Sequence, residues 1–496
     1  MTLSAENGTQ DYKMTKRFLN IAKTLKPKLI HSNARKTFSN RVLKTSEPFV
    51  VDFYNHYTGY VSLDFDFVGS PVDAPILLKI KFCEHKDELK ENSDDYHGWV
   101  SKSWIQEELI HIDNLPSALK LKRRYAFRYI SVELIASSSR YDVLLNGIEL
   151  DSVSSAGNFD EIVGDSELEK RIDVVALRTL HECMQYEFED GPKRDRRLWL
   201  GDLRLQALTN YHTYKNYDLV KRCLYLFAGT TDKNGRIAPC VFTSPKVIAD
   251  DSFILDYSLL FVSTLKDYYE NTHDEKTLQD LLPVATKQIM NARGYFVNDV
   301  LADKNELGWC FLDWNLNLNR QCGEHAVYIY AEKDLISLYK EIGLSTDELE
   351  IDLKNKIKAG FEAFFDKKLG VFVSGETKQI SFASNVWMIL ANDFSEEENR
   401  KIFENLDRLS PEPMVTPYMY HHYIEALIKS GLLDKARKKM NEYWGAMIDD
   451  EADTFYELFN PMNKEESPYG GKAVLSYCHA WSCTPSYLLR HYFLKK

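Results

Sequence analysis

From about residue 45 to residue 150, apolar and polar residues alternate along the chain with a period of two. The alternation is clearest in 61–67, 78–82 and 130–134, where Val, Leu, Ile and Phe are separated by Ser, Asp, Glu and Lys. Successive side chains of a β-strand point to opposite faces, so this pattern predicts strands with one buried face. We therefore expect an antiparallel β-sandwich over residues 45–155, preceded by an N-terminal extension of residues 1–44.

Near residue 165 the period changes to that of an α-helix. Ser166 and Glu169 form a capping-box pattern, and apolar residues then recur at helical spacing up to Cys183. Similar amphipathic runs follow at about 203–227, 253–270, 275–292, 325–342, 346–364, 395–406, 417–430, 432–444 and 478–493. The pattern predicts a multidomain protein whose residues 156–496 form an all-helical domain, either a ring of helical hairpins or a solenoid. No fixed repeat of about 30–50 residues is visible, which disfavours the solenoid.

Size, charge and cysteine content narrow the class of protein. A chain of 496 residues exceeds the usual size of one hydrophobic core, which also indicates several domains. The net charge of −12 disfavours binding to nucleic acid or to an anionic membrane surface, and no apolar run is long enough to span a bilayer. Residues 1–24 lack the apolar core of a secretory signal, and the eight cysteines include no Cys-x-x-Cys pair. We therefore expect a cytoplasmic protein with reduced thiols and no zinc site.

The segment from Asp190 to Asp202 carries the densest chemistry of the chain. It places Asp190, Asp195 and Asp202 among three arginines, a Gly-Pro turn and Trp199. Arginine can hold two of these carboxylates ionised, while burial against Trp199 can raise the pKa of the third. One carboxyl kept as an acid and one kept as a base is what glycoside hydrolysis needs. The alternative is a charged surface turn held by ion pairs.

Two further segments combine aromatic and titratable residues. Asp313 stands between Trp309 and Trp314, where it could also cap a helix or pair with Arg320. His479 opens the last helical pattern, and a satisfied core histidine is the alternative there. Aromatic residues make up 13% of the chain, and flat rings stack on sugars, so a carbohydrate ligand is expected.

The carboxylates outside these positions fall into two groups. Glu457 lies between Tyr456 and a further apolar pair, where an isolated carboxylate is costly unless it is paired or functional. The acidic run 449–453 is expected to be a solvated turn, and the charged stretch 84–95 a long exposed loop. Nothing in the sequence requires a metal or a cofactor, and the oligomeric state is left open.

At these residues the chain resembles glycoside hydrolase family 78, the α-L-rhamnosidases. The family's Asp-x-Pro-x-Arg-Asp/Glu…Trp-x-Gly-Asp motif is matched by Asp190, Pro192, Arg194, Asp195, Trp199, Gly201 and Asp202. Similar segments include 49–61 and 125–132 in the strand region, 312–314, 452–457 and 476–479. The order and rough spacing of these segments agree over about residues 45–494.

The resemblance implies an (α/α)6 barrel and hydrolysis with inversion of the anomeric centre. Asp195 would be the general acid, and Glu457 the general base that activates water. Asp190 and Asp202 would bind sugar hydroxyls, and Arg194 would fix their charge. The other residues would bind the sugar or line its pocket: Trp199, Trp309, Asp313, Trp314, Tyr456 and His479.

The chain departs from the family pattern at two places. Many members have Arg-Asp-Glu-Arg, with Glu as the acid, where this chain has Arg194-Asp195-Arg196-Arg197 and one residue fewer before the tryptophan. If the shorter loop is accepted, Asp195 takes the acid's role; otherwise Arg196 replaces the acid. The segment before Glu457 also differs, which leaves the identity of the sugar open.

Three functions are compatible with these residues. The first is an inverting exo-glycosidase acting on a terminal α-L-rhamnose or a related sugar of a small glycoside or oligosaccharide. The second is an inverting phosphorylase, which would need a cluster of basic residues beside Glu457 that the sequence does not show nearby. The third is a non-catalytic carbohydrate-binding protein on a glycosidase scaffold.

Overall fold

A computed structural model describes residues 3–159, 161–302 and 309–494 of the chain. Its N-terminal part is a β domain built of seven strands among these residues. They are β1 (Ile30–Leu43), β2 (Phe49–Gly69), β3 (Ile76–Cys83), β4 (Glu107–Ile112), β5 (Ser117–Lys120), β6 (Tyr125–Ala136) and β7 (Tyr141–Ser154). All their pairings are antiparallel, in the order β1-β7-β2-β6-β3-β4, with β5 on β2.

Strand β2 connects the two halves of this sheet. Its first part, from Phe49 to Gly59, pairs with β6, and its second part, from Gly59 to Gly69, pairs with β7. The predicted alternation is confirmed, since Leu63 and Ile80 are fully buried and pack in one apolar cluster of the β domain. Antiparallel strands with one buried face account for the period of two.

The sheet begins earlier than residue 45, where the sequence indicates the start of the β domain. Strand β1 pairs with β7 from Ile30 opposite Ser154 to Leu43 opposite Val143. Most side chains of β1 are exposed or half-buried, because it is an edge strand. An edge strand with little apolar burial carries no strong alternation, so sequence periodicity does not reveal it.

The chain after residue 160 is mainly helical, and a first helix precedes the sheet. The α-helices are α1 (Leu3–Thr24), α2 (Glu167–Cys183), α3 (Leu200–His212), α4 (Tyr217–Ala228), α5 (Leu255–Thr272), α6 (Glu275–Ala292), α7 (Gln321–Glu341), α8 (Asp347–Phe364), α9 (Phe382–Ala391), α10 (Glu396–Leu406), α11 (Pro417–Lys429), α12 (Leu433–Asp449) and α13 (Pro485–Leu488). Short strands join some of them: β8 (Leu198–Trp199), β9 (Cys240–Phe242), β10 (Ile248–Ala249), β11 (Phe296–Val297), β12 (Val300–Leu301), β13 (Phe365–Asp366), β14 (Val371–Ser374) and β15 (Gln379–Ile380).

Alternate helices pack side by side. Helix α3 contacts α5, α5 contacts α7, α7 contacts α9 and α9 contacts α11. The one-turn helical segment Ala480–Cys483 contacts both α11 and α3, so these elements close into a ring. Most of the other helices pack against members of this ring from outside, among them α6 on α5, α8 on α7 and α12 on α11.

The predicted helices differ from the observed ones in two informative places. The run 203–227 is two helices, α3 and α4, separated at residues 213–216. Helix α9 carries no predicted amphipathic run, because most of its residues are buried. A helix that is apolar on all sides has no hydrophobic period to detect.

The start of α2 is held by a buried carboxylate. Ser166 accepts a hydrogen bond from the backbone N–H of Glu169 at 3.2 Å, which is half of the predicted capping box. The Glu169 side chain instead accepts two bonds from the Arg437 guanidinium, at 2.7 and 2.6 Å, and one from Asn441 at 2.9 Å. These hydrogen bonds, with that of Arg437 the largest effect, lower the pKa of Glu169 to about 2.

We expect Glu169→Gln to lower the free energy of unfolding by about 1.5–3 kcal/mol at neutral pH, because it removes charge-assisted hydrogen bonds. The folded pKa lies below the ordinary value of 4.5, so this stabilisation is complete above pH 4.5 and is lost as the pH falls toward 2. Urea denaturation of both proteins at neutral pH and at about pH 3 measures the difference. Glu167→Gln is the control, since the Glu167 side chain is 91% exposed. A difference that does not shrink in acid would contradict the assignment.

Candidate active site

A cavity of about 650 Å³ opens at the N-terminal ends of α3 and α5. Its volume is in the range of small-molecule sites. Nine of the residues singled out by the sequence line it: Asp190, Arg194, Asp195, Trp199, Asp202, Trp309, Trp314, Glu457 and His479. Segments that lie more than 250 residues apart in the chain therefore meet in one cavity.

Asp190 shapes the loop that carries Asp195. Its carboxylate accepts hydrogen bonds from the backbone N–H of Asp195 at 2.8 Å and of Arg197 at 3.1 Å. Its backbone carbonyl accepts a third from Ala480 at 2.9 Å. Burial, together with the nearby Asp195 carboxylate, raises the pKa of Asp190. Asp190 thus joins the start of the loop to its later residues, and it joins the loop to the segment that carries His479.

Arg194 links Asp195 to Glu457. One terminal nitrogen, Nη1, lies 3.2 Å from Asp195 Oδ1, and the other, Nη2, lies 2.5 Å from Glu457 Oε2. Nε donates to the carbonyl of Val474 at 2.7 Å, which fixes the plane of the guanidinium. The second oxygen of Glu457 accepts the hydroxyl of Tyr469. The expectation that Arg194 holds Asp190 and Asp202 is wrong, because its side chain extends toward the 457–476 region instead.

Of the neighbouring residues Asp195 and Arg196, the loop presents Asp195 to the cavity. The Asp195 side chain is 16% exposed and lines the cavity, and the peptide bond before it is cis. Arg196 has a left-handed backbone, with φ of 62°, and its Nε donates to the carbonyl of Lys193 at 3.3 Å. Arg196 does not line the cavity. Asp195 therefore lies in the cavity, as the shorter-loop alignment requires.

The deep end of the cavity presents polar atoms that have no protein partner. Asp202 Oδ1 and His479 Nδ1 lie 3.4 Å apart, and both are buried without a hydrogen bond. Trp314 Nε1 is buried and unpaired as well. Burial raises the pKa of Asp202, and burial with the nearby Arg194 charge lowers the pKa of His479. Buried polar groups are normally hydrogen-bonded, so these atoms are suited to the hydroxyls of a bound ligand.

Aromatic rings form a continuous wall along the cavity. Trp314 lies 5.4 Å from Trp309 and 5.6 Å from Tyr469, measured between ring centres, and Phe311 stacks on Trp481 at 5.4 Å. The sequence analysis assigned no sugar-binding role to several residues that also line the cavity: Trp99, Ile254, Tyr257, Phe311, Leu316, Arg320, Pro468, Tyr469 and Trp481. Phe311 and Trp481 could have been found from the sequence, because they lie next to residues assigned to the site. The segments around Trp99 and Tyr469 contain no residue pattern that indicates a site.

Two residues expected to contact the sugar lie outside the cavity wall. Asp313 is buried, and its carboxylate accepts from the Thr416 hydroxyl at 2.6 Å and from the backbone N–H of Val415 at 2.9 Å. It joins the 311–318 loop to α11, a structural role. Tyr456 points away from the cavity and packs against Tyr477 at 4.9 Å, although the adjacent Glu457 points into it.

The charged stretch 84–95 is exposed only in part, because two of its glutamates are buried against the helical region. Lys193 Nζ lies 2.5 Å from Glu88 Oε1 and 3.4 Å from Glu84 Oε2. Glu84 also accepts from His56 Nε2 at 3.1 Å and from the backbone N–H of Tyr477 at 2.8 Å. Burial opposes both charges, yet the attraction raises the pKa of Lys193 and lowers that of Glu84. The β domain therefore holds Lys193, which directly precedes Arg194 in the active-site loop.

One group of side chains in the described ranges has the spacing of metal ligands. Ligand atoms of Asp256, Cys310 and Glu324 lie within 4.8 Å of one another, and all three residues are buried. The carboxylate of Asp256 already accepts the backbone N–H groups of Phe311 and Leu312, both at 3.1 Å. Asp256 therefore supports the loop behind the cavity wall. Over the same ranges, no helix is long and apolar enough to cross a bilayer.

Comparison with known families identifies both parts of the chain. Residues 16–152 match the model of the glycosyl hydrolase family 78 alpha-rhamnosidase N-terminal domain. Residues 161–492 match the bacterial alpha-L-rhamnosidase 6 hairpin glycosidase domain. The chain belongs to glycoside hydrolase family 78, as its motif indicates. No curated protein sequence matches it.

Solved structures of this family are similar over most of the chain. A rhamnosidase from Klebsiella oxytoca, determined with rhamnose bound, is 39% identical, with a TM-score of 0.92 over 97% of this chain and 99% of its own. A family 78 rhamnosidase of Bacillus sp. GL1 shares the fold at 19% identity, with a TM-score of 0.76 over 90% of this chain and 47% of its own. The alpha-L-rhamnosidase of Aspergillus terreus does so at 14% identity and a TM-score of 0.70, over 93% of this chain and 54% of its own. The chain thus spans about half the length of the latter two.

Proposed function

We propose that this protein is an exo-acting α-L-rhamnosidase that hydrolyses its substrate with inversion at the anomeric carbon. The observation that carries the proposal is the pair of carboxyl groups, Asp195 and Glu457, held by one guanidinium in a single cavity. General acid–base hydrolysis needs two such groups. The 39% identical Klebsiella oxytoca rhamnosidase, with its bound rhamnose, supports the choice of sugar.

The two carboxyl groups are assigned different roles. Asp195, on its hydrogen-bonded loop, donates a proton to the glycosidic oxygen as the bond to the anomeric carbon breaks. Glu457 takes a proton from a water molecule, which attacks the anomeric carbon from the opposite face. Tyr469 and Arg194 each bind one oxygen of Glu457, so the direction of its carboxylate is fixed before substrate enters. Inversion follows when the two carboxyl groups are far enough apart to admit that water.

The deep end of the cavity is assigned to the terminal sugar. Asp202, His479 and Trp314 have unpaired buried atoms there that would bind sugar hydroxyls. Trp199 would pack on an apolar face of the sugar. Asp202 and His479 are 2% and 3% exposed, so this end of the cavity would hold a terminal residue, which supports exo action.

We further propose that the helical domain, residues 156–496, is an (α/α)6 barrel and that the β domain, whose sheet begins at Ile30 and not at residue 45, is a β-sandwich. The ring of α3, α5, α7, α9, α11 and the segment after residue 479 supplies six inner members, with further helices outside. The cavity then lies at the end of the barrel where the inner helices begin. All eight cysteines are buried free thiols, which supports a cytoplasmic location.

Hydrolysis of an aryl α-L-rhamnoside, followed by proton NMR of the released sugar, tests this function. We expect β-L-rhamnose as the first product, with the α anomer appearing later by mutarotation. Initial release of the α anomer would rule out inversion. Binding of rhamnose without turnover of any glycoside would favour the carbohydrate-binding protein, and turnover that requires inorganic phosphate would favour the phosphorylase.

A further inference from the structure

One loop of the β domain reaches the mouth of the cavity. Trp99, between β3 and β4, lines the cavity, whereas the other lining residues belong to the helical part of the chain. Its indole N–H donates to the carbonyl of Pro468 at 2.8 Å, and its ring centre lies 5.6 Å from that of Tyr469. The hydroxyl of Tyr96, on the same loop, donates to the carbonyl of Tyr469 at 2.9 Å. Two contacts therefore hold Trp99 itself and a third holds its loop, while most of the Trp99 side chain stays open to solvent.

The two ends of the cavity differ in chemistry. The inner end is polar and buried, since Asp202 and His479 are 2% and 3% exposed. The outer end carries three large apolar side chains, Trp99, Leu316 and Trp309, which are 71%, 75% and 45% exposed. Apolar side chains left in water are common singly, but a cluster at the mouth of a cavity indicates a contact surface for a ligand.

We propose that Trp99, with Leu316 and Trp309, forms a subsite for the leaving group and selects rhamnosides whose leaving group presents a flat apolar face. The inference rests on the proposed function, because that function places the terminal sugar at the polar inner end. The glycosidic oxygen then faces outward, and whatever is attached to it meets the exposed indoles. An aryl group can stack on them, whereas a small alkyl group leaves them uncovered.

The subsite would act on binding and not on chemistry. Trp99 donates its hydrogen bond to Pro468 and not to a catalytic group, but its ring packs on Tyr469, whose hydroxyl binds Glu457. An effect that passes through Tyr469 to the base would lower kcat for both substrates alike, so the methyl substrate detects it. An interaction made equally in the bound substrate and in the transition state lowers KM without changing kcat. The β domain would therefore set the preference for the leaving group.

The test compares two substrates in four proteins. Kinetics with 2-naphthyl and methyl α-L-rhamnoside are measured for wild type, Trp99→Ala, Trp99→Phe and Leu109→Ala. Leu109 is the matched control, because it is a large apolar side chain of the same domain, 67% exposed, that does not line the cavity. Thermal midpoints of all four proteins and the inhibition constant of L-rhamnose are measured alongside.

We expect Trp99→Ala to lower kcat/KM for the naphthyl substrate about tenfold, mainly through KM, and to leave the methyl substrate within about twofold. Trp99→Phe should recover most of the loss, since it keeps a flat ring without the indole N–H. Leu109→Ala and inhibition by L-rhamnose should be unchanged. Equal losses for both substrates, or no loss, would overturn the subsite and leave the rhamnosidase function standing. If wild type cleaves neither substrate, the proposed function fails and the subsite falls with it.

Discussion

Glu457→Gln is expected to slow hydrolysis of an aryl α-L-rhamnoside by about 10²–10⁴-fold, the contribution of one general base. The amide has the size of the carboxylate and can still bind the hydroxyl of Tyr469, but it cannot take a proton from water. Binding of L-rhamnose should change little, because Asp202 and His479 at the deep end of the cavity are untouched. Initial rates and calorimetric titration with L-rhamnose separate the two effects.

Glu451→Gln serves as the control for this variant. Glu451 lies six residues earlier, its side chain is 58% exposed, and it pairs with Lys86 at the surface. We expect wild-type rates from it. A Glu457→Gln enzyme within tenfold of wild type would remove Glu457 as the base. Loss of rhamnose binding together with activity would show that Glu457 supports the site rather than its chemistry.

Lys193→Met is expected to lower the free energy of unfolding by about 3–5 kcal/mol, the effect of leaving buried charges without their partner. The substitution keeps a long apolar stem but leaves Glu84 and Glu88 without the ammonium group between them. Both glutamates are less than a tenth exposed, so water does not replace the lost partner. Because Lys193 directly precedes Arg194, we also expect kcat to fall. Chemical denaturation and steady-state kinetics measure these effects.

A double variant and a surface variant complete this experiment. Adding Glu88→Gln to Lys193→Met should restore part of the stability, since it removes one uncompensated charge. Lys90→Met should have no effect beyond about 1 kcal/mol, because the Lys90 side chain is 79% exposed and pairs with Asp87 at the surface. If Lys193→Met were as mild as Lys90→Met, the buried cluster would not hold the two domains together as described.

The local periods of the chain predicted most of the secondary structure. The strand alternation at 61–67 and the helix at 275–292 are found where the sequence indicates them. These elements have one buried and one solvated face, so the polarity of each residue indicates the face on which it lies. Strand β1 and helix α9 were not predicted, because β1 is mostly exposed and α9 is mostly buried. Neither has the contrast between faces on which the period depends.

By itself, the sequence determined the family and nine of the residues that line the cavity, because a motif carries its chemistry in residue type and spacing. Only the tertiary structure decided how those residues are used. Arg194 binds Glu457, which is 263 residues away, and Asp313 supports a loop instead of a ligand. Glu84 and Glu88 have the sequence context of a solvated loop, yet Lys193, over a hundred residues later, pairs with them in the interior. A side chain's partner across such a distance is set by the packing of whole domains, and local sequence carries no signal of it.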